Sequence, residues 1–249
     1  MSEQENRQLH MTVQGKGGAG KSFVTALYSQ HLTATGRTTR IFDIDAHNNT
    51  LTQFKALKAE PLALKKDGDE RRIDERKFDA FMEGVFTGTE DVVICDVGAS
   101  TLSSMMAYMV ENDAFDMIEQ NGIDVVFHIP VCGGQGLVDT VSGFKHIVKQ
   151  VGTVGRVIVW LNPFHGSIEK DGKGFEEMKV YKDNSSQVSA LVRLPLVHAD
   201  TVGKDLETMM ASKLTFAEVA ASEDWQLMAK MRMQKYQGGI AKQLEGLGL

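Results

Sequence analysis

Two cysteines in 249 residues cannot build a disulfide framework, so the fold must be held by its core, and a reducing, cytoplasmic compartment is the simplest setting. No run approaches the ~18 apolar residues that a membrane-spanning helix needs. The opening "MSEQENRQLH" has no basic region followed by an apolar one, and a soluble, unexported chain is expected. Excess charge is small as well: a formal net charge of −6 gives no general attraction to DNA or anionic lipid, so DNA binding would need a local basic face. The histidines are scattered, with no H-x-x-x-H and no Cys/His grouping, which points to packing or surface positions rather than zinc ligation. Neither Ser100 nor Ser142 stands in a G-x-S-x-G context, so a hydrolase nucleophile elbow is excluded. There is no internal repeat and no low-complexity segment.

What is present is a chain with enough hydrophobic residues (42%) to bury one substantial core, and a single domain over 1–249 is expected. Residues 8–14, 39–44, 91–96, 123–130, 156–161 and 189–194 are short, rich in Val and Ile and bounded by Gly, Asp or Asn, as buried strands are. Between them, apolar residues recur at helical spacing, as in Phe23, Ala26, Leu27 and Leu32, and in Leu137, Val141, Phe144, Ile147 and Val148. Alternating strands and helices require crossover connections, hence a mainly parallel, doubly wound α/β sheet with helices on both faces. The charged stretch at about 58–78, "KAEPLALKKDGDERRIDERKF", reads as a surface excursion. The segment at about 223–249 reads as a helical tail packed on the body; it shows no clean apolar stripe and is interrupted by Gly238 and Gly239.

The informative stretch is "VQGKGGAGKSFVTAL". Gly15, Gly20, Lys21 and Ser22 satisfy the phosphate-loop pattern G-x-x-x-x-G-K-[ST]. Gly15, Gly17, Gly18 and Gly20 free the backbone to wrap a polyphosphate, with Ala19 and Phe23 completing the nucleotide-lining run, and the helix that starts near Lys21 adds its positive end. Lys21 is placed to reach the β- and γ-phosphates and Ser22 to ligate Mg²⁺. Lys16 is a second lysine that the pattern does not require. One residue into the loop it would point away from its own nucleotide, so it is either a solvated loop lysine or a group that meets a nucleotide brought by another subunit. Farther on, "RIFDIDAHNNT" puts Asp43 and Asp45 two residues apart at the carboxyl end of a strand, where doubly wound sheets bind ligands, although either could cap a turn. "DVVICDVGAS" ends an apolar strand on Asp96, the form of a Walker B carboxylate, with Gly98 two residues on as a backbone hinge.

"KGGAGKS" resembles the deviant Walker A loop of the ParA/MinD group of P-loop ATPases, in the SIMIBI class of P-loop NTPases. The resemblance implies that Lys16 crosses a dimer interface to the partner's ATP. It also implies that Asp43 serves the Mg²⁺ hydration shell, Asp45 orients the attacking water, Asn162 in "RVIVWLNPFHG" meets the adenine edge and Pro195 closes the base pocket. Asn162 could equally open a turn before Pro163. No N/T-K-x-D arrangement follows, which favours ATP over GTP. Two departures stand out: Ala46, His47 and Asn48 replace the Pro-Gln-Gly common after the D-x-D, and no proline accompanies the Walker B neighbourhood.

Within this group the chain is similar over nearly its whole length to the conjugal-transfer TraL proteins of plasmids, through "QGKGGAGKS", "DVVICDVGAS", "GGQGLVDTVSGF", "VIVWLNPFHG", "EKDGKGFEEMKVY" and "KLTFAEV". That implies a cytoplasmic ATP- and Mg²⁺-dependent, slowly hydrolysing switch. It would form a homodimer bridged by ATP and act on an unidentified transfer or plasmid-maintenance protein. A ParA-type DNA partition ATPase and a nucleotide-binding scaffold without hydrolysis are the alternatives. A "VCGG" turn also resembles the cluster-bridging nitrogenase iron protein, but that role needs two exposed cysteines and Cys95 sits inside a strand. A membrane-binding tail would need an apolar stripe, and a related tyrosine kinase would need a C-terminal tyrosine cluster where only Tyr236 occurs.

Overall fold

The computed structural model describes residues 6–45, 48–66 and 69–247. Its strands are β1 Arg7–Thr12, β2 Thr39–Ile44, β3 Glu60–Pro61, β4 Lys65–Lys66, β5 Asp69–Ile73, β6 Val92–Val97, β7 Ile123–Cys132, β8 Arg156–Asn162, β9 Glu169–Lys170, β10 Lys173–Gly174 and β11 Val188–Arg193. Its helices are α1 Lys21–Ala34, α2 Phe78–Thr87, α3 Leu102–Glu111, α4 Ala114–Gln120, α5 Leu137–Val151, α6 Lys179–Lys182, α7 Lys204–Ala211, α8 Phe216–Ala221 and α9 Leu227–Glu245. Seven strands form one sheet in the order β11-β8-β7-β1-β6-β2-β3, and every pairing in it is parallel. The six expected strands are all present, and the doubly wound α/β fold with them.

Alternation along each strand divides the core in two. In β6, Val93, Cys95 and Val97 face a core shared with α2, α3, α4 and α5, whereas Val92 and Ile94 face one shared with α1, α7, α8 and α9. Because both faces are covered, the strands read as near-continuous apolar runs. β1 lies at the centre of the sheet, where the chain order changes direction, and its carboxyl end opens the crevice in which such sheets bind ligands.

Two parts of the chain differ from their sequence reading. The stretch at 58–78 supplies the seventh strand, with Phe42 opposite Glu60 and Asp43 opposite Pro61, and it buries Leu64 and Phe78. Its apolar residues are too widely spaced to show a period, and a proline is tolerated here because β3 is an edge. The C-terminal helix α9 does carry an apolar stripe: Ala229, Met233, Tyr236, Ile240 and Leu244 are all buried. The helix runs unbroken through Gly238 and Gly239, because tertiary packing of that stripe outweighs the propensity cost of two glycines.

Candidate functional site

The phosphate loop joins β1 to α1. Gly18 and Gly20 adopt φ of 75° and 98°, which a side chain disfavours, and Gly20 is the residue from which α1 starts. At Gly15, Gly17 and Gly18 an added Cβ would meet no atom within 4 Å, so the loop borders open space. Its base is fixed by Gln14, whose buried Nε2 donates to the carbonyls of Pro130 (2.9 Å) and Thr140 (3.2 Å). Lys21 is buried on the first turn of α1 and its Nζ donates to the Lys16 carbonyl at 3.4 Å. Burial lowers its pKa, while the nearby carboxylates of Asp96 and Asp45 work in the opposite direction.

Sheet register brings the carboxylates together. Asp43 on β2 lies opposite Asp96 on β6, which lies opposite Thr12 on β1. The two oxygens of Asp43 differ in their surroundings. Its Oδ2 accepts from the Leu51 and Thr52 N–H groups at 2.8 and 3.1 Å and so caps the following turn, while its Oδ1 is buried with no hydrogen-bond partner among the described residues. Asp96 accepts from Thr25 Oγ1 at 3.2 Å, and burial, with the Asp43 charge beside it, raises its pKa to about 6 against the pull of Ser22 and Lys21. Two adjacent buried carboxylates with a bare oxygen fit a hard cation. Mg²⁺, an ion held by one or two carboxylates plus phosphate oxygens and water, is a cation of that kind.

Asp45 accepts from the Asn48 N–H at 3.0 Å, and Gly98 presses against it: a Cβ at position 98 would stand 2.7 Å from Asp45 Cγ. The segment after Asp96 is therefore in direct contact with the D-x-D segment. Ala46 and His47 lie outside the described residues.

Beyond the loop is a cavity of about 610 Å³, within the range of small-molecule sites, lined by Gly18, Gly20, Phe23, Asn162 and Pro195 among others. Asn162 is turned inward. Its Oδ1 accepts from the Phe164 N–H at 3.1 Å, its Nδ2 donates to the Ala19 carbonyl at 3.4 Å, and one N–H and one lone pair stay available. The side chain thus ties the turn after β8 to the phosphate loop.

Lys16 is half-exposed and forms a 2.7 Å ion pair with Asp139 on α5. The hydrogen bond and charge of Asp139 raise the lysine's pKa. Nothing in the sequence distinguishes Asp139. Cys95 and Cys132 are free and buried, which removes the exposed pair a bridging cluster needs. The adjoining glycines serve close packing instead: a Cβ on Gly133 or Gly134 would lie about 2 Å from the carbonyl oxygen of Gly166 or His165.

Thr25 is another site residue that no motif marks, although it stands one turn after Lys21 and so shares its face of α1. Behind the loop is a buried polar chain that the sequence conceals. Trp160 Nε1 donates to His128 Nδ1 (2.8 Å), which leaves His128 Nε2–H to meet His10 Nδ1 (2.8 Å) and His10 Nε2–H to meet Gln8 Oε1 (3.1 Å). Both imidazoles are therefore neutral, and burial drives their pKa values down, that of His128 to about 3.

No protein-family profile matches the chain. Two Escherichia coli proteins named TraL are each 37% identical to it over 238 residues, covering 96% of this chain and 97% of theirs. Among solved structures it resembles the cell division ATPase MinD of Pyrococcus furiosus (TM-score 0.56, 16% identity, 96% of this chain and 99% of that one). It also resembles MinD of Aquifex aeolicus (TM-score 0.54, 13% identity, 96% and 97%). The septum site-determining protein MinD of Pyrococcus horikoshii, complexed with Mg-ADP, is a third such neighbour (TM-score 0.52, 14% identity, 97% of each chain). The structural likenesses establish the P-loop fold, and the sequence identity, sustained across both lengths, establishes that the chain belongs to the TraL family.

Proposed function

We propose that the chain binds Mg·ATP, pairs face to face with a second copy around two nucleotides, hydrolyses slowly, and uses the cycle to switch a protein of plasmid transfer or maintenance. The observation that carries this reading is the convergence of Lys21, Asp43 and Asp96 beneath an open glycine loop at the carboxyl edge of the sheet. Lys21 would contact the β- and γ-phosphates. Ser22 and the carboxylates of Asp43 and Asp96, through water, would hold Mg²⁺, which would supply positive charge to offset that of the phosphates. Asp45 would orient the attacking water, and Phe23, Asn162 and Pro195 would border the base. That the Pyrococcus horikoshii neighbour is complexed with Mg-ADP supports the choice of ligand.

Lys16 has a different part. In the free subunit it rests on Asp139, and an exposed pair of this kind is readily exchanged. Pairing with a second copy would trade Asp139 for the partner's phosphate, a stronger charge-assisted contact. Turnover would be slow because the arrangement is complete only in the dimer.

The test compares Lys21→Ala with Lys16→Ala, by nucleotide titration and by light-scattering mass with a slowly hydrolysed ATP analogue. Lys21→Ala should lose nucleotide binding, and dimerisation with it. Lys16→Ala should bind one nucleotide per subunit at near-normal affinity and remain monomeric, since each dimer would lack both symmetric lysine–phosphate bonds, weakening association on the order of a hundredfold or more. If Lys16→Ala dimerises as readily as the wild type, the sandwich dimer is wrong.

A further inference from the structure

One wall of the 610 Å³ cavity comes from outside the phosphate loop. It is built by the C-terminal helix α9, through Tyr236, and by Leu206 and Met210 of α7. That wall is fixed in place: Arg232, one turn before Tyr236 and so on the same side of α9, makes a 2.6 Å ion pair with Asp205 of α7. Below it Tyr236 stacks on Phe216, and the stripe from Met233 to Leu244 is buried in the core. Nothing in this packing needs a hydroxyl.

Yet the residue is a tyrosine, only 6% exposed, and its hydroxyl makes no hydrogen bond to a described residue. The hydroxyl of a largely buried tyrosine ordinarily finds a hydrogen-bond partner. The hydroxyl oxygen is not itself occluded, so the accessible remnant of the side chain includes the polar atom. The other polar side chains of the cavity already have neighbours, although Asn162 keeps one N–H and one lone pair available. Asn162 is engaged by backbone on both ends of its amide, the His165 ring packs edge-on against Phe164, and Glu207 is exposed and pairs with Lys204.

We infer that the Tyr236 hydroxyl is a base-positioning group, hydrogen-bonding the polar edge of the nucleotide's purine, so that the C-terminal helix forms part of the nucleotide site. Burial raises the phenol's pKa, which keeps its proton in place and lets the hydroxyl donate to a ring nitrogen or accept from an amino group. The inference rests on the nucleotide reading above. It adds that occupancy of the base pocket is felt by α9, which no phosphate-loop residue requires.

The experiment is calorimetric titration of Tyr236→Phe and wild type with Mg·ATP and with Mg·tripolyphosphate, which has the phosphates but no base, alongside thermal melting of both proteins. Removing one hydrogen bond to the base should weaken ATP roughly five- to thirtyfold and leave tripolyphosphate unchanged. The melting temperature without nucleotide should not fall, because the hydroxyl has no intramolecular bond to lose. Equal ATP affinity in the two proteins overturns the inference and leaves the functional reading standing. So does an equal loss for ATP and tripolyphosphate, or a lowered melting temperature with equal losses, since these mark a structural role. A wild-type protein that binds neither probe overturns the functional reading and this inference with it. Tyr236→Leu, which removes ring and hydroxyl together, should weaken ATP at least as much as Tyr236→Phe, again sparing tripolyphosphate.

Discussion

At the scale of single residues, the two aspartates of "DID" are separated by what their side chains do. Asp43 spends one oxygen on the turn at Leu51 and Thr52 and keeps the other bare, whereas Asp45 accepts a local backbone N–H beside Gly98. The water-orienting role assigned to Asp45 therefore predicts a selective defect. Asp45→Ala should bind ATP with near-normal affinity and release no phosphate, because no phosphate contact is removed. Phosphate release and nucleotide titration on the same preparation decide the matter: weakened binding with undiminished hydrolysis per bound ATP would refute the role. Lys16 shows the limit of reading residues one at a time. The loop pattern marks it as surplus, and only the fold shows that Asp139, 123 residues away, holds it in the free subunit.

At the scale of elements, α9 is the clearest case of packing overriding local preference. Gly238 and Gly239 lie in its interior, neither has a left-handed φ, and a Cβ on either would meet no atom within 4 Å. Nothing structural requires glycine there, so Gly239→Ala should stabilise the protein by about 0.5–1 kcal/mol, chiefly by restricting the unfolded chain and improving helix propensity. Denaturant unfolding measures this directly, and a destabilised variant would show that the glycines serve a purpose beyond the packing of this subunit. The strands were easier to read than this helix. The central strands β1, β6, β7 and β8 are buried on both faces, so each appears as a short apolar run whatever its neighbours, whereas the stripe on α9 is diluted by polar and glycine residues between its buried positions.

For the whole molecule, the buried His10–His128–Trp160 chain links β1, β7 and β8 behind the phosphate loop and ties stability to pH. The folded state holds both imidazoles neutral, with His128 near pKa 3, while in the unfolded chain a histidine titrates near 6.5. As pH falls below about 6.5, the unfolded chain takes up protons the folded one refuses, so this contribution to stability is full above that pH and is lost toward pH 3. Asp96 acts oppositely. Its folded pKa of about 6 exceeds the ordinary value, so the folded state gains relative stability as pH falls from 6 to 4. The histidine effect is therefore isolated by difference. The stability of wild type minus that of His128→Gln should shrink by about 1.4 kcal/mol per pH unit between pH 6 and 4.5. A difference independent of pH would mean that His128 is protonated in the folded protein.

What the sequence determined by itself was whatever depends on neighbours in the chain. Phosphate-loop glycines, a lysine and a serine at fixed spacing, and apolar strands leading to Asp45 and Asp96 are legible because loop geometry and strand burial are local constraints. Asp43 and Asp96 could be named in this way, but not placed side by side. That required β2 to lie next to β6, a choice made by the sheet order and not by either strand. The same holds for Asn162 against Ala19, Lys16 against Asp139, the histidine chain across three strands, and Tyr236 at the wall of a cavity whose floor begins more than 200 residues earlier. Each is a contact between segments distant in sequence, and its partner is selected by which faces of the sheet and helices bury together, information carried by no single stretch of the chain.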